Sequence, residues 1–226
     1  MERSIYGDEI GLVQYIDHMG DDRRAAASAR ASFAKDIETR TLEEDEKLIH
    51  FLLRHGHNSP FEHSTISIRF TVPLFVRSQL IRHRTFSYNE MSRRYTSAGL
   101  EFWSPRELRA QAAKNLQCSS DETISDPDLL ARFSEHNRAS RNLYLDLVQS
   151  GVSRELARAV LPVSSYTTFW MTGNLRNWIT VFHIRLKPDV QPETLEAMRA
   201  AFEIVEQLFP LTIRSLQESG FLPVRE

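Results

Sequence analysis

The sequence predicts an α+β fold, helix-dominated, with a small antiparallel or mixed sheet flanked by helices. Several segments repeat apolar residues with the helical period and carry capping signals. Fewer segments alternate apolar and polar residues, as a half-buried strand does. No stretch of the 226 residues has the composition of a linker. We therefore expect a single domain over residues 1–226.

Helix signals recur along the chain. TLEEDEKLIHFLLRHG pairs Thr41 with Glu44 as a capping box and stops at a glycine. SPRELRAQAAKNLQ opens with Ser104 as N-cap and Pro105 at the first helical position, which predicts a helix over 104–117. The remaining predicted helices are PLFVRSQLI, DPDLLARFSEHNRASRNLYLDLVQSG, SRELARAVLP and PETLEAMRAAFEIVEQLFP.

Strand signals are fewer. TISIRFTV alternates apolar and polar side chains from Thr65 to Val72, which predicts a half-buried strand. EIGLVQYIDHM and SSYTTFWMT are further candidates because they are rich in β-branched and aromatic residues. The polar stretch from Ser119 to Asp128 is predicted to be a surface loop.

Composition limits the class of protein. The formal net charge is -2, so no overall field attracts nucleic acid or an anionic membrane. A single cysteine, Cys118, fits a reducing compartment. No apolar run approaches the roughly 20 residues that span a bilayer, and MERSIYGDEI has no signal-peptide core. We expect a cytoplasmic protein with no membrane or nucleic-acid partner.

The stretch RHRTFSYNEMSRRY, residues 82–95, is crowded with hydrogen-bond donors. It follows the helix that Pro73 begins, on which Gln79 and Arg82 would share a face. Thr85 to Asn89 are poor helix formers and are predicted to be a loop. Guanidinium groups held in such a loop are suited to bidentate binding of phosphate or carboxylate.

Two other interpretations of this stretch stay open. One is a surface ion-pair network around Glu90. The other is nucleic-acid binding, in which Phe86, Tyr88 and Tyr95 would stack on bases. The near-neutral chain and the single basic cluster speak against the second.

HGHNSPFEH suggests a metal site, because four of the eight histidines fall between His50 and His63. Pro60 breaks the helix that would align them, and no standard zinc spacing is present. Capping and loop hydrogen bonds are the alternative, and we expect no metal.

Two further segments place polar groups on helices. In GNLRNWITVFHIR, Asn174 and Arg185 share a face with Trp178 and Val181, so this face either lines a cleft or sends its polar ends to solvent. In SRELARAVLP, Arg154 and Arg158 are neighbours on a helix, and Glu155 could pair with Arg158. No Gly-rich phosphate loop is present. Cys118 has no histidine near it in sequence, so a cysteine nucleophile is unsupported.

RHRTFSYNEMSRRY resembles the R-H-R-x-x-S-x-N-x-x-S-x-R-Y signature of the flavin-dependent thymidylate synthases at every specified position. HGHNSPFEH, GVSRELARAVLP and GNLRNWITVFHIR also look like blocks of this family, in the same order. The resemblance covers roughly Tyr15 to Arg185. It implies the family's fold and a homotetramer with active sites at subunit interfaces.

The activity that the resemblance implies is methylation of dUMP at C5. The carbon donor would be 5,10-methylenetetrahydrofolate, FAD would carry the hydride, and NADPH would reduce the flavin. Such chemistry needs no protein nucleophile, which agrees with the position of Cys118 outside every family block. The cofactor would supply the difficult chemistry while the protein orients and polarises the substrate.

The resemblance also assigns residues to ligands. Arg185 matches the arginine that polarises the uracil and favours loss of its N3 proton, and His57 matches a histidine near flavin and folate. The dUMP contacts would be Gln79, Arg82, Glu90, Met91, Ser92, Arg93, Arg94 and Arg158. The FAD contacts would be Ser59, Arg82, His83, Arg84, Glu90, Asn174, Leu175, Arg176 and Thr180.

Three positions depart from the family pattern. Thr180 is shorter than the polar residue common at that place, so its flavin contact would pass through water. Arg93 replaces a residue that is often small and either adds charge at the dUMP phosphate or points to solvent. After Arg185 the chain reads LKPDVQPET, unlike the family's usual run.

Overall fold

The computed structural model describes residues 1–32 and 41–224. It confirms the α+β class, with an antiparallel five-stranded sheet in the order β1-β2-β3-β7-β4 and a separate hairpin of β5 and β6. The strands are β1 (Glu2–Ser4), β2 (Leu12–Met19), β3 (Thr65–Pro73), β4 (Ser87–Glu90), β5 (Leu108–Gln111), β6 (Ser119–Ile124) and β7 (Tyr166–Asn174).

Helices cover one face of this sheet and its ends. They are α1 (Asp22–Ala31), α2 (Leu42–Arg54), α3 (Leu74–Leu80), α4 (Pro127–Gln149), α5 (Arg154–Ala157), α6 (Leu175–Arg185), α7 (Pro192–Leu208) and α8 (Pro210–Glu218). Short 3-10 helices span Ser59–His63 and Arg158–Val160. The capping box at Thr41 and the Asp126 cap of α4 both form, which confirms those predicted helix starts.

The central pair of strands explains why the site lies where it does. In β3, Ile66, Ile68 and Phe70 are fully buried and alternate with partly exposed polar residues, which confirms the predicted strand. The strand β3 pairs with β7 from Thr65↔Asn174 to Pro73↔Tyr166. Because β3 runs directly into α3 and β7 runs directly into α6, this pair fixes the starts of both helices.

The strand β4 corrects the predicted loop over Thr85 to Asn89. Ser87–Glu90 pairs with β7 at the edge of the sheet, with Glu90 opposite Phe169. The segment has poor helix propensity, but the free edge of β7 satisfies its backbone groups, so it becomes a strand. The prediction that Gln79 and Arg82 share a helical face is also wrong, because α3 ends at Leu80.

The hairpin of β5 and β6 corrects two further predictions, the helix over 104–117 and the loop over Ser119 to Asp128. Residues 108–111 pair with 119–124, and Asp126 caps the start of α4. In this segment the tertiary contacts outweigh the local capping signals, so a strand forms instead of a helix. Arg109 reaches Glu193 of α7 at 2.7 Å and the Ser119 hydroxyl at 3.1 Å, contacts that hold the segment as a strand.

Within the described residues, no helix has both the length and the apolar character needed to cross a membrane. Across the same ranges, no three His, Cys, Asp or Glu side chains lie close enough together to hold a metal ion.

Candidate active site

Helix α6 places the first group of site residues. Asn174 is its N-cap, and its side-chain oxygen accepts from the backbone N–H of Asn177 at 3.0 Å. Trp178 and Val181 are fully buried, so the predicted polar–apolar face is a core face. Capping explains the polar residue at its start, and contacts with α3 explain the arginine at its end.

Arg185 is fixed by the end of α3. Its Nε donates to Nε2 of His83 at 2.9 Å, and its Nη2 donates to the backbone oxygen of Gln79 at 3.0 Å. Its Nη1 lies 3.5 Å from Oε1 of Gln79, whose amide also donates to Gln191. A guanidinium has five N–H groups, so these three contacts with described residues orient Arg185 and leave one N–H on each Nη for a ligand.

The contact with Arg185 determines the tautomer of His83. Nε2 accepts from a guanidinium, which never accepts in return, so His83 is neutral with its proton on Nδ1. Burial, and then the charge of Arg185, lower the pKa of His83 from 6.5 to about 4. Burial also lowers the pKa of Arg185, which stays charged at neutral pH.

Aromatic packing holds the turn that carries His83. The Tyr88 hydroxyl bonds to the backbone oxygens of Leu80 and His83, both at 2.9 Å. Phe86 packs edge-on against Trp178 with ring centroids 4.9 Å apart. A Cβ at Gly173 would lie 2.5 Å from the Phe86 ring, so glycine is required for this close approach of β7 to the turn.

A second group of site residues lines a cleft of about 380 Å³ between the start of β7, α3 and the 3-10 helix Arg158–Val160. The predicted dUMP ligands that line it are Glu90, Met91, Ser92, Arg93 and Arg158. Arg77 and Thr167 also line it and were not predicted. The hydroxyl of Tyr166, another lining residue, donates to Asp8. Burial and the Asp8 carboxylate raise the pKa of Tyr166, so it does not act as a base at neutral pH.

The cleft carries excess positive charge. Three arginines and one glutamate are the charged residues among its lining side chains. Arg93 donates to the backbone oxygens of Ala98 and Gly99 at 2.5 and 2.7 Å, so its guanidinium braces a loop rather than facing solvent. Arg158 is exposed, and among the described residues its one hydrogen bond is a 3.4 Å contact with the Glu155 backbone oxygen. The geometry suits a phosphomonoester bound at Arg158.

Two predicted ion pairs form with different partners. Glu155 does not pair with Arg158. Its carboxylate lies 3.8 Å from Arg94, and both side chains are exposed. Glu90 does form an ion pair, but its partner is Arg77, which lies outside the 82–95 stretch. A surface network among the arginines of that stretch around Glu90 is therefore not what the structure contains.

The predicted flavin contacts lie on a surface beside the start of α6. Thr85 accepts from the Asn177 side chain at 2.8 Å, which brings the turn of exposed Arg82 and Arg84 to this helix end. Arg176 pairs with Glu62 of the 3-10 helix that Ser59 begins. Guanidinium and hydroxyl donors of this kind fit the diphosphate of FAD.

Three predicted flavin contacts have their polar groups partly engaged. The Leu175 side chain is fully buried, and its backbone N–H donates to Ser64 at 2.9 Å. The Asn174 oxygen caps α6, which leaves its amide N–H groups for a ligand. The Thr180 hydroxyl donates to the Arg176 backbone oxygen at 3.0 Å and keeps only acceptor capacity.

His57 and Ser59 line a second pocket, of about 580 Å³, between α1, α2 and the 3-10 helix. Phe51 stacks on His57 with ring centroids 6.1 Å apart, and Nδ1 of His55 donates to the Phe51 backbone oxygen at 2.8 Å. These histidines therefore take part in capping and stacking at the end of α2.

Within this chain, the predicted residues on either side of α3 form two groups. Arg77 and Gln79 are two apart on α3 and so point to different sides. Gln79, His83 and Arg185 lie on one side, and the cleft lies on the other. Sequence reasoning missed Arg77, Thr167 and Gln191. An arginine inside the apolar helix PLFVRSQLI was a usable signal for the first, whereas nothing in the sequence marks the other two.

Comparison with known proteins agrees with this geometry. Residues 14–211 match the family described as thymidylate synthase complementing protein. The flavin-dependent thymidylate synthase of Thermus thermophilus is 38% identical over 92% of this chain and 76% of its own length. The flavin-dependent thymidylate synthase of Thermosipho africanus is 36% identical over 93% of this chain and 92% of its own length.

A solved structure also shares the fold of this chain. The UMP/dUMP methylase PolB from Streptomyces cacaoi, bound with 5-Br dUMP, superposes with a TM-score of 0.82 at 28% identity, over 94% of this chain and 97% of that one. With a family match across most of its length, the shared signature and the shared fold, the chain belongs to the thymidylate synthase complementing protein family, the flavin-dependent thymidylate synthases.

Proposed function

We propose that this enzyme converts dUMP to dTMP by reductive methylation at C5, with 5,10-methylenetetrahydrofolate as carbon donor and NADPH as reductant. The observation that carries the proposal is the positively charged cleft, in which Glu90, Met91, Ser92 and Arg93 of the stretch 82–95 meet Arg158. Family membership supports the reaction.

FAD, when bound, would supply hydride transfer. Its diphosphate would be bound by Arg82, Arg84, Arg176 and Ser59. The protein's own part is to bind and orient. His83 would contact the flavin through Nδ1–H, since its Nε2 is committed to Arg185.

The nucleotide would be held by charge at one end and polarised at the other. Arg158 and Arg94 would bind the phosphate, and Ser92 would lie beside the uracil. The free N–H groups of Arg185 would donate to a uracil carbonyl oxygen. They would stabilise the negative charge left when N3 loses its proton, an electrostatic effect that grows in a partly buried site.

The complete site would combine residues of more than one subunit. The two groups on opposite sides of α3 support this, because neither group alone surrounds a nucleotide beside a flavin. We therefore propose a homotetramer in which Gln79 and Arg185 of one subunit face the cleft of another. The single cysteine fits a reducing compartment, and we place the enzyme in the cytoplasm.

The test is dTMP formation from dUMP, 5,10-methylenetetrahydrofolate and NADPH, with and without FAD. We expect product only with flavin present and bleaching of the flavin absorbance by NADPH. UMP serves as a parallel substrate, since PolB is described as a UMP/dUMP methylase. Absence of dTMP from a flavin-loaded protein would refute the proposal.

A nucleic-acid-binding module is the alternative, and the aromatic residues speak against it. Phe86 is buried against Trp178, and the Tyr88 hydroxyl is bonded to the backbone. Tyr95, which is 79% exposed, is the one aromatic of residues 82–95 placed to stack on a base. Oligonucleotide affinity with a steep dependence on salt would favour the alternative.

A further inference from the structure

Glu90 is held in the cleft by two residues that belong to no part of the signature. Arg77 of α3 donates to its Oε2 through Nη2, and the Thr167 hydroxyl of β7 donates to its Oε1 at 2.8 Å. The side chains of Arg77 and Glu90 are 29% and 23% exposed, and Thr167 is buried. Both carboxylate oxygens are thus occupied once each.

We propose that Arg77 and Thr167 are positioning residues for nucleotide binding, which fix the carboxylate of Glu90 in the cleft. This inference rests on the proposed function, in which Glu90 contacts dUMP. Each carboxylate oxygen accepts about two hydrogen bonds, so one acceptor position on each oxygen remains. These free acceptor positions point toward a ligand only if Arg77 and Thr167 fix the orientation of the carboxylate plane.

Without Arg77 and Thr167, the Glu90 carboxylate could adopt other rotamers and bind another partner. Glu90 ends an edge strand and has free rotation about its side-chain bonds. Arg158 lines the same cleft, is exposed and makes one weak backbone contact. A free Glu90 would be drawn toward Arg158 and would neutralise the group that is best placed for an anion.

Arg77 prevents this movement because it donates a hydrogen bond to the Glu90 carboxylate from α3. Arg93 does not compete for Glu90, because the Ala98 and Gly99 carbonyls already hold it. Thr167 adds direction, since its backbone is fixed by pairing with Val72 in the middle of the sheet. The arrangement keeps an oriented acceptor, Glu90, in the same cleft as the Arg158 guanidinium, which forms no ion pair with any residue that the structure describes.

The experiment compares dUMP affinity and turnover in matched variants. Arg77→Met removes the charge at similar length, and Arg77→Lys keeps it. Thr167→Val removes the hydroxyl at constant shape, and Thr167→Ser restores it. Arg69→Met is the control, since Arg69 is a partly buried arginine bonded to Gln14 on the sheet, away from the cleft.

We expect Arg77→Met to raise the Kd and KM for dUMP about tenfold, the usual size of one charged hydrogen bond, with kcat changed less than about threefold. Arg77→Lys should recover part of this loss. Thr167→Val should weaken binding about threefold, and Thr167→Ser should restore it. Arg69→Met should bind as the wild type does.

A double-mutant cycle separates positioning from a merely structural role. If Arg77 acts through Glu90, Arg77→Met has no further effect on the Kd in a Glu90→Gln background. Additive effects would overturn the proposal, as would wild-type affinity in a folded Arg77→Met protein. If that variant fails to fold, the Thr167→Val and Thr167→Ser pair decides by the same criterion.

The outcomes also distinguish this inference from the proposed function. A wild type that binds dUMP but forms no dTMP would refute the function, and the affinity ratios would still test the positioning. A wild type that binds no dUMP in the flavin-loaded state would overturn both.

Discussion

Replacing Arg185 with lysine keeps a positive charge at the end of α6 but removes the planar fork. The fork makes two well-formed hydrogen bonds, to His83 at 2.9 Å and to the Gln79 backbone at 3.0 Å. A lysine ammonium is a single point donor on a flexible stem, so it keeps at most one of these bonds and no longer fixes the direction of the others.

The bonds to His83 and Gln79 exist with or without substrate, so the size of the effect follows from the one or two bonds to the uracil that a misdirected ammonium no longer makes. A hydrogen bond to a charged group contributes about 1.5 kcal/mol net in a half-buried place. Losing one bond costs about tenfold in rate, and losing both, about 3 kcal/mol, costs about 100-fold. We therefore expect Arg185→Lys to lower kcat/KM for dUMP between about tenfold and about 100-fold, and Arg185→Ala to lower it further.

The assay is the initial rate of dTMP formation at varied dUMP, with bound flavin measured by absorbance and folding by thermal unfolding. Arg138→Lys is the matched control. Arg138 is an exposed arginine on α4 that pairs with Glu135, and its replacement should leave the rate unchanged. An Arg185→Lys enzyme within twofold of the wild-type kcat/KM, with equal flavin content, would refute the orienting role of the fork.

Two further predictions concern single residues. Cys118→Ala should keep wild-type turnover, because the hydrogen bonds of the thiol within the described residues are to Asn115 and to the Asp189 backbone, and Cys118 does not line the cleft; a folded but inactive variant would support a thiol mechanism. His83 has its pKa lowered to about 4, so the unfolded state takes up its proton first as the pH falls from about 6.5. The free energy of unfolding should therefore drop on acidification through this window, by about 1 kcal/mol after screening of a half-buried ring. The free energy of unfolding of His83→Gln, measured by urea denaturation, should therefore fall less between pH 7 and pH 5 than that of the wild type. An equal fall in the two proteins would contradict the assignment.

Periodicity and capping located much of the scaffold. The strand beginning at Thr65 and the helix beginning at Leu42 were predictable because their burial pattern and caps are local. The segment 104–117 was mispredicted because its local helix signals are real but weaker than its contacts with Glu193 and β6. The pairing of Ser87–Glu90 with β7 was also hidden, since an edge strand takes its partner from a distant part of the chain.

The sequence by itself determined the fold class, the family and the signature residues, because side-chain period, caps and motif spacing are properties of neighbouring positions. Only the tertiary structure decided how those residues are grouped. It placed Gln79 and Arg185 on one side of α3 and the Glu90 cleft on the other, and it brought Arg77 and Thr167 to the Glu90 carboxylate. Contacts between residues 13, 77 and 106 positions apart depend on how strands and helices pack, and no local pattern encodes that packing.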